Sequence, residues 1–446
     1  MGEVSDKTTF NGELIVQIIG ETTVVPAEET PKDLHFLSNF DTMVAMIDTF
    51  YCFNKIIDVG RKDAAEVIRD GLAKVLVHYY PLAGRITMNE KRKFMVNCTG
   101  EGALFVEAEA NLTLEEIGDF TKPDPVTYGK LVYGLLDPRN ILQNPLLVAQ
   151  VTKFKCGGFV LGITMNHAMA DGTSAMEFMK SWGEVTRGLP LTSPPFLDRT
   201  ILKARNPPKV EFTHGYEDIV DVSNTEALFE QEMLISKSFI FHPENLEQLK
   251  KKAMEDGVLQ RCTSFEVLTA LMWRARTQSL KLNPDQQVRL LFAVDGRSRL
   301  DPKLPKGYFG NAFLMMNCQC SVSEMLDNPL SSTIERIQNL IKLVTDDYVK
   351  STIDFLEEPK RIQPQSSTVF LSAWSKLGFN SMDFGWGEPF FAGPPRLAIK
   401  EVVLFLAHGK DNKGINLILA LPASSMKIFE ELIEVYKKLK KPLALL

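Results

Sequence analysis

The sequence lacks the features that define several large classes of protein. No apolar run approaches the roughly 18 residues that a transmembrane helix needs. The start, MGEVSDKTTF, has no basic segment followed by an apolar one, so we expect no secretory signal, and Asp6 breaks the myristoylation pattern. The net charge of −6 over 446 residues, without a Lys/Arg stripe, argues against a nucleic-acid partner. We therefore expect a soluble protein of the cytoplasm.

Cysteine, histidine and the common catalytic signatures are also sparse. The six cysteines are scattered, and Cys318 and Cys320 are too close together for a zinc knuckle, so we predict free thiols in a reducing compartment. The six histidines are isolated and no H-E-x-x-H motif is present, which predicts no bound metal. The sequence also has no G-x-S-x-G elbow, Walker loop or dinucleotide fingerprint. These absences argue against hydrolase triads, metalloproteases, nucleotide-binding enzymes and a permanently bound cofactor.

A proline-rich stretch divides the chain into two halves of similar size. Residues 188–221 hold five prolines and show no sustained helix or strand period, which favours an extended, semi-rigid connection. We therefore predict an N-terminal domain over residues 1–187, a crossover linker over 188–221 and a C-terminal domain over 222–446.

Both halves mix helical and strand patterns. In the first half the apolar spacing predicts a helix over 64–77, a hairpin of strands 147–154 and 159–165, and a later helix that starts with a Ser174/Glu177 capping box. In the second half it predicts a helix over 265–278, a strand over 288–294, a helix over 332–349 and a hairpin of 401–407 with 416–421. Mixed order in both halves predicts α/β sandwiches rather than bundles or barrels.

His167 is the first candidate for chemistry because it stands where the apolar strand FVLGITM gives way to a loop. An imidazole titrates near neutral pH and can take a proton from an attacking alcohol. Asp171, four residues later, could orient the ring or could point away and hold the loop. The H-x-x-x-D pattern alone is weak, and a lone histidine beside an apolar strand is more often a satisfied core residue. Without a partner nucleophile, a catalytic His167 implies direct transfer from an activated donor such as a thioester.

A second, rarer string lies near the carboxyl end. Residues 381–387 read SMDFGWG, in which two glycines flank an aromatic residue after an aspartate. This composition suits a tight turn rather than a reacting surface.

The two strings together resemble the plant BAHD superfamily of acyl-CoA-dependent acyltransferases, and the resemblance covers nearly the whole chain. Further matching segments are YPLAGR (80–85), TSFEVL (263–268), VDGRSR (294–299) and GYFGN (307–311). The resemblance implies an α/β fold of two chloramphenicol-acetyltransferase-like sandwich domains joined by a long crossover loop. It also implies a monomer with acyl-CoA as co-substrate, entering one face of a channel while the acceptor alcohol enters the other.

The resemblance assigns roles to individual residues. His167 becomes the general base, and Asp171 becomes structural, pairing with Arg299 or Arg297. Ser372 and Trp374 occupy the places of a Thr hydroxyl and a Trp indole that hold the oxyanion in hydroxycinnamoyl-transferring relatives. The D-F-G-W-G residues that would shape the fold and channel are Asp383, Gly385, Trp386 and Gly387. The residues expected to contact CoA are Ser264, Arg297 and Tyr308.

Within the superfamily, residues 21–41 and 181–209 are most similar to enzymes that move feruloyl or caffeoyl groups onto ω-hydroxy fatty acids or fatty alcohols. Related subgroups use benzoyl or acetyl donors and other alcohols, which is the alternative. A non-catalytic accessory protein of the same fold is a second alternative. A peptide-synthesis condensation domain would carry another histidine at position 166, where this chain has Asn166. The apolar face of residues 428–439 either touches a membrane weakly or packs on its own domain, and packing is the simpler expectation.

Overall fold

The structure is a computed structural model that describes residues 12–55, 63–134, 140–215, 217–358, 367–409 and 411–438. In chain order the described strands are β1 (Val16–Val24), β2 (Leu34–Phe36), β3 (Met46–Phe53), β4 (Arg85–Met88), β5 (Phe94–Asn97), β6 (Ala103–Ala110), β7 (Leu147–Lys153), β8 (Phe159–Asn166), β9 (Leu234–Phe241), β10 (Gln287–Asp295), β11 (Phe313–Ser321), β12 (Thr368–Ala373), β13 (Phe391–Gly393), β14 (Val402–His408) and β15 (Gly414–Pro422). The described helices are α1 (Ala64–His78), α2 (Leu114–Ile117), α3 (Pro125–Tyr128), α4 (Gly172–Thr186), α5 (Thr225–Gln231), α6 (Pro243–Ala253), α7 (Ser264–Ser279), α8 (Val322–Asp327), α9 (Leu330–Leu343), α10 (Asp346–Phe355) and α11 (Ala423–Lys438).

The first half is built on a sheet whose described strands run in the order β1-β6-β7-β8-β3-β13. Strand β8 is buried at every position and pairs antiparallel with β7 and β3, which confirms the predicted hairpin. Helices α1 and α4 contact each other and cover one face of this sheet, where Ile68, Leu161 and Trp182 belong to one core. Burial of both faces explains why this strand reads as a continuous apolar run.

The second half has its own sheet, with the described strands in the order β11-β10-β12-β14-β15-β9. Helices α6, α7, α9 and α11 contribute to a single core on one face of it. The predicted helix over 265–278, strand over 288–294 and late hairpin are confirmed as α7, β10 and the β14–β15 pair. Two sheets, each covered by helices, give the α/β two-sandwich architecture expected from the sequence.

One predicted helix is wrong in its continuity. The helix predicted over 332–349 is two helices, α9 and α10, separated at Val344 and Thr345. The Thr345 side chain accepts a hydrogen bond from the backbone N–H of Tyr348 and so caps the start of α10. A threonine hydroxyl that bonds the backbone favours a helix start over a helix interior, which the apolar period alone does not reveal.

The crossover is fastened to the second half. Arg205 donates to the carboxylate of Asp354 on α10 through its side chain at 2.6 Å and through its backbone at 2.8 Å. The backbone N–H of Lys209 donates to the same carboxylate at 2.8 Å, and that of Glu211 to the Ser351 hydroxyl at 2.9 Å. Because the acceptors are buried, these hydrogen bonds fix the path of the proline-rich segment.

A second connection joins the halves. After β12 the chain leaves the second sheet and packs Met382 and Phe384 into the core of the first. It then adds β13 to the edge of the first sheet, antiparallel to β3. Residues 374–393, the returning segment, therefore belong by sequence to the predicted C-terminal domain but pack with the first sheet. The limits 1–187, 188–221 and 222–446 stay a prediction.

The carboxyl-terminal helix packs on its own half. Phe429, Ile433 and Tyr436 of α11 are buried in the second core, so these members of the apolar face have a protein partner. Leu439, the last member of that face, lies outside the described residues, as does the amino-terminal segment. Among the described helices none is long and apolar enough to cross a membrane.

Candidate active site

His167 opens a short loop at the end of β8. The backbone N–H of His167 donates to the Ala45 carbonyl at 2.8 Å, and the Asn166 side chain accepts from the backbone N–H of Ala168 at 3.0 Å. The neighbours Asn166, Ala168 and Met169 are buried, whereas His167 is partly exposed. The buried strand thus holds a rigid backbone, and His167 keeps partial solvent exposure between buried neighbours.

The environment of the ring favours its neutral form. Burial lowers the pKa of His167 below its ordinary value of 6.5, although Asn311 and the carboxylates Asp171 and Asp41 oppose that shift. Nδ1 is enclosed and has no hydrogen-bond partner among the described residues, and the ring meets the edge of Phe313 at 5.9 Å between centroids. A neutral imidazole can accept a proton at neutral pH.

Asp171 does not orient the imidazole. Its carboxylate caps α4 by accepting from the backbone N–H of Ser174 at 3.0 Å, and it also accepts from the N–H of Ala312 at 3.0 Å. The predicted Ser174/Glu177 capping box is therefore wrong, because the cap residue is Asp171. The Ser174 hydroxyl lies instead beside the Gly310 carbonyl at 2.9 Å. Of the two readings left open for Asp171, the structure supports holding the loop.

The arginine that pairs with Asp171 is Arg297. Its two terminal nitrogens each donate to one carboxylate oxygen of Asp171 at 2.8 Å, and it also contacts Asp295 at 3.0 Å. The Arg299 alternative is corrected, since the Arg299 guanidinium points to the Val344 carbonyl at 3.4 Å. A side chain this fully engaged gives no support to the expected CoA contact of Arg297.

Ser372 and Trp374 lie two residues apart at the end of β12, and both are partly buried. The indole Nε1–H of Trp374 donates to the Ser372 hydroxyl oxygen at 2.8 Å. The indole also stacks on Phe379 at 4.9 Å, and Phe379 stacks on Tyr51 of the first sheet at 6.1 Å. The two predicted oxyanion donors are therefore arranged in series, and the serine O–H remains free to donate.

The strand register relates these residues to His167. Leu314 and Leu371 lie in the second core, so their neighbours Phe313 and Ser372 face the opposite side, towards the first half. Strands β11 and β12 are separated only by β10, which places Phe313 about 10 Å from β12. His167, which contacts Phe313, therefore lies across this face from the Ser372–Trp374 pair.

The D-F-G-W-G string forms a closed turn. The Asp383 carboxylate accepts from the backbone N–H groups of Gly385 at 2.6 Å and Gly387 at 2.9 Å, and Arg187 contacts it at 3.3 Å. Gly385 and Gly387 have φ of +102° and +78°, a region that favours glycine. Trp386 meets Phe159 edge-on at 5.5 Å. These contacts are structural, and a role in shaping the channel stays a prediction.

The two other residues predicted to contact CoA, Ser264 and Tyr308, lie in different environments. Ser264 is the first residue of the 16-residue helix α7 and is partly exposed, but the Thr263 hydroxyl and the Glu266 carboxylate already cap this helix start. Tyr308 is buried in the second core, and Arg297 lies over its ring at 5.8 Å. That burial gives no support to a CoA contact for Tyr308.

Three buried residues that the sequence did not single out for the site surround the loop: Asp41, Arg199 and Asn311. The amide of Asn311 donates to the His167 carbonyl at 2.7 Å, and Arg199 donates to the carbonyls of Ala168 and Met169. A buried charge has no periodic sequence signal, and Arg199 lies in the irregular crossover. Of these three residues, only Asn311 belongs to a segment that matches the family pattern.

Comparison with known proteins identifies the family. The model described as "Transferase family" matches residues 14–436. The chain belongs to this family. Its relatives include the omega-hydroxypalmitate O-feruloyl transferase of Arabidopsis thaliana, 53% identical over 413 residues that cover 92% of this chain and 90% of the relative. The fatty alcohol:caffeoyl-CoA acyltransferase of the same species is 48% identical over 95% of this chain and 99% of the relative. Family membership confirms the BAHD resemblance.

Solved structures agree on the fold. Vinorine synthase matches with a TM-score of 0.74 at 20% identity, covering 95% of this transferase and 100% of that chain. F. sporotrichioides TRI101, complexed with coenzyme A and T-2, matches with a TM-score of 0.73 at 17% identity, covering 90% and 98%. These likenesses confirm the predicted fold class.

Proposed function

We propose that this transferase moves a feruloyl or caffeoyl group from CoA to the hydroxyl of an ω-hydroxy fatty acid or a fatty alcohol. The relatives that share about half of its residues over nearly their full length carry these activities in their names. The observation that carries the mechanism is the partly exposed, neutral His167 at the end of a buried strand. The solved relative with coenzyme A supports acyl-CoA as a diffusible co-substrate.

We infer the reaction from this geometry. Because Nδ1 is enclosed, Nε2 of His167 takes the proton of the acceptor hydroxyl as its oxygen attacks the thioester carbonyl carbon. A C–O bond forms, and the carbonyl oxygen becomes an oxyanion that accepts a hydrogen bond from the Ser372 hydroxyl. The C–S bond then breaks, the ester leaves, and the imidazolium returns its proton to the CoA thiolate.

Direct transfer without an acyl-enzyme fits the thiol environments. Burial raises the pKa of Cys98, Cys262 and Cys318 to about 12, so these thiols stay protonated at neutral pH. A protonated thiol is a poor nucleophile. All six cysteines are unpaired, which supports the proposal of a cytoplasmic protein. We propose a monomer without a resident cofactor.

A narrow cleft of about 30 Å³ lies between the two sheets. Its lining includes Phe120, Tyr128 and Phe391 from the first half with Leu406 and Ile418 from the second. Leu406 and Ile418 also belong to the small cluster against which Trp374 packs. At this volume the cleft holds no alkyl chain, so the proposed acceptor class rests on the named activities of the relatives.

The test pairs donors with acceptors. Purified protein is incubated with feruloyl-, caffeoyl-, benzoyl- or acetyl-CoA and with 16-hydroxypalmitate, 1-hexadecanol, benzyl alcohol or shikimate, and esters are read by mass spectrometry. We expect feruloyl or caffeoyl esters of the aliphatic alcohols, lost in His167→Ala. Benzoyl or acetyl esters would support the alternative substrate class. CoA binding without any ester would support an accessory protein and overturn the proposal.

A further inference from the structure

A buried ion pair lies directly beneath residues 167–171, which we call the catalytic loop. Arg199, from the crossover, contacts Asp41 at 3.1 Å, and both side chains are fully buried. Charges removed from water stabilise a fold only when the remaining donors and acceptors are satisfied, so such a pair is weak support for stability alone. What the two side chains hold is therefore informative.

Every nitrogen of the Arg199 side chain is engaged. Nη1 donates to the carbonyl of Ala168 at 2.8 Å and Nη2 to that of Met169 at 2.6 Å, both within the H-x-x-x-D loop. Nε donates to the Phe309 carbonyl at 3.0 Å. A planar guanidinium can meet three carbonyls and a carboxylate at once, which an ammonium group cannot do with the same geometry.

Asp41 extends the arrangement to His167 itself. One carboxylate oxygen accepts from the Asn311 backbone N–H at 2.9 Å and from its side-chain amide at 2.8 Å. The same amide donates to the His167 carbonyl at 2.7 Å. The other carboxylate oxygen accepts from the backbone and the hydroxyl of Ser38. The carbonyls of three consecutive residues, from His167 onward, are thus tied to one ion pair.

We propose that Arg199 and Asp41 are positioning residues that fix the backbone of His167 and so aim its imidazole at the acceptor hydroxyl. This role rests on the proposed function of His167 as general base. It differs from that of the Asp171–Arg297 pair, which holds the far end of the loop and the start of α4. A misplacement of about 1 Å in such a group can cost on the order of a hundredfold in rate.

The chain supplies a matched control in the same crossover. Arg205 also pairs with a buried aspartate, Asp354, at 2.6 Å, but that pair ties the crossover to α10. Substituting either arginine by lysine keeps the charge and removes the fork. Both substitutions perturb an arginine–aspartate pair of the crossover, although the Arg205 side chain is 38% exposed and that of Arg199 is fully buried. Only Arg199→Lys touches the catalytic loop.

The first experiment compares kinetics per folded active site. Active sites are counted by feruloyl-CoA binding, and kcat and KM are measured for both variants with feruloyl-CoA and 16-hydroxypalmitate. We expect Arg199→Lys to lower kcat by about tenfold to a hundredfold with little change in the KM for feruloyl-CoA. We expect Arg205→Lys to keep kcat within about twofold while lowering the melting temperature. Equal kcat in the two variants would overturn the proposal.

A second variant covers the case in which Arg199→Lys does not fold. The double substitution Asp41→Asn with Arg199→Gln removes both buried charges together, so no unpaired charge remains. We expect this variant to recover the wild-type melting temperature more fully than either single change while its kcat stays low. Recovery of kcat along with stability would show that the pair serves folding only.

A third measurement separates this proposal from the proposed function. The charged groups around His167 include Asp41, Asp171, Arg199 and Arg297, and the Asp41 carboxylate raises the pKa of His167. NMR titration of substrate-free protein labelled at histidine nitrogens should show a lower His167 pKa in Asp41→Asn than in wild type, whichever substrates the enzyme uses. Partial unfolding reduces the amount of folded protein, but it does not move the titration midpoint of His167 in the folded form. An unchanged midpoint would contradict coupling between the ion pair and the imidazole, whereas inactivity of wild type would contradict only the proposed function.

Discussion

At the scale of single residues, the proposed oxyanion stabilisation depends on two side chains that act in series. The Trp374 indole donates to the Ser372 oxygen, so the serine hydroxyl hydrogen is the donor left for the reacting carbonyl. A hydroxyl that already accepts a hydrogen bond is a stronger donor, because chains of hydrogen bonds polarise one another. Ser372 supplies a hydroxyl where the family resemblance leads us to expect a threonine hydroxyl.

Ser372→Ala should therefore lower kcat by about a hundredfold, or about 3 kcal/mol of transition-state stabilisation. Ser372→Thr, which restores the hydroxyl, should retain most of the activity. Trp374→Phe should lower kcat less than Ser372→Ala does, because it removes only the hydrogen bond that polarises the serine hydroxyl. Steady-state kinetics with feruloyl-CoA check the order, and a larger loss in Trp374→Phe would mean that the indole reaches the oxyanion itself.

The lowered pKa of His167 predicts the pH dependence of the reaction. Only the neutral imidazole is a base, so kcat/KM is at its plateau above the His167 pKa and falls as the pH drops through it. Because burial sets that pKa below 6.5, we expect the acid limb of kcat/KM to have its midpoint below pH 6.5. A profile measured from pH 4.5 to 8.5 checks this, and a midpoint above 6.5 would contradict a buried neutral base.

Motif spacing could single out His167, at a strand end, and Asp171, four residues later, whereas Ser372 and Trp374 were assigned only through the family resemblance. It could not choose between Arg297 and Arg299, since both follow the same strand and only the backbone turn decides which one faces Asp171. The sequence could not identify Arg199 as a site residue, because a buried arginine in an irregular segment has no distinguishing pattern.

At the scale of secondary structure elements, the Asp171–Arg297 pair joins α4 to the segment after β10. Arg297→Gln should lower the free energy of unfolding by about 3–5 kcal/mol, because it leaves the buried Asp171 carboxylate without its cation. Arg299→Gln is the matched control and should change it by less than about 0.5 kcal/mol, since the Arg299 side chain makes a single long hydrogen bond, at 3.4 Å, among the described residues. Urea unfolding of both variants gives the comparison, and similar losses would make Arg299 an equal partner.

Elements with a long, regular apolar period were predictable, and α1, α7 and β8 have nearly their expected bounds. The break between α9 and α10 was missed because the apolar spacing continues across Thr345. Strand β13 has only three residues and forms because it pairs with β3, so the local sequence pattern does not predict it.

At the scale of the whole molecule, the returning segment 374–393 binds the two halves together. Phe384 is buried in the first core, edge-on to Trp182 at 5.3 Å and to Phe53 at 6.0 Å. Gly183 on α4 lets the chain approach closely, since a Cβ there would lie 2.6 Å from the Asp383 carbonyl oxygen. Met382 and Phe384 therefore anchor the segment in the core, while most of its other residues are partly or fully exposed.

Phe384→Ala should lower the free energy of unfolding by about 3–5 kcal/mol. Phe390→Ala, six residues later in the same segment, should cost no more than about 1 kcal/mol, because Phe390 is 45% exposed. Calorimetry of both variants measures the difference, and equal melting temperatures would mean that the segment does not hold the first core.

The return of the chain to the first sheet limits how this protein can be recombined. A first half that ended within the crossover would leave β3 as an open edge and would lack Phe384 from its core. An uncovered strand edge invites pairing with other chains. Chimaeras that exchange acceptor specificity between relatives should therefore carry residues 374–393 with the first half, and a cut at the apparent linker alone should yield aggregates.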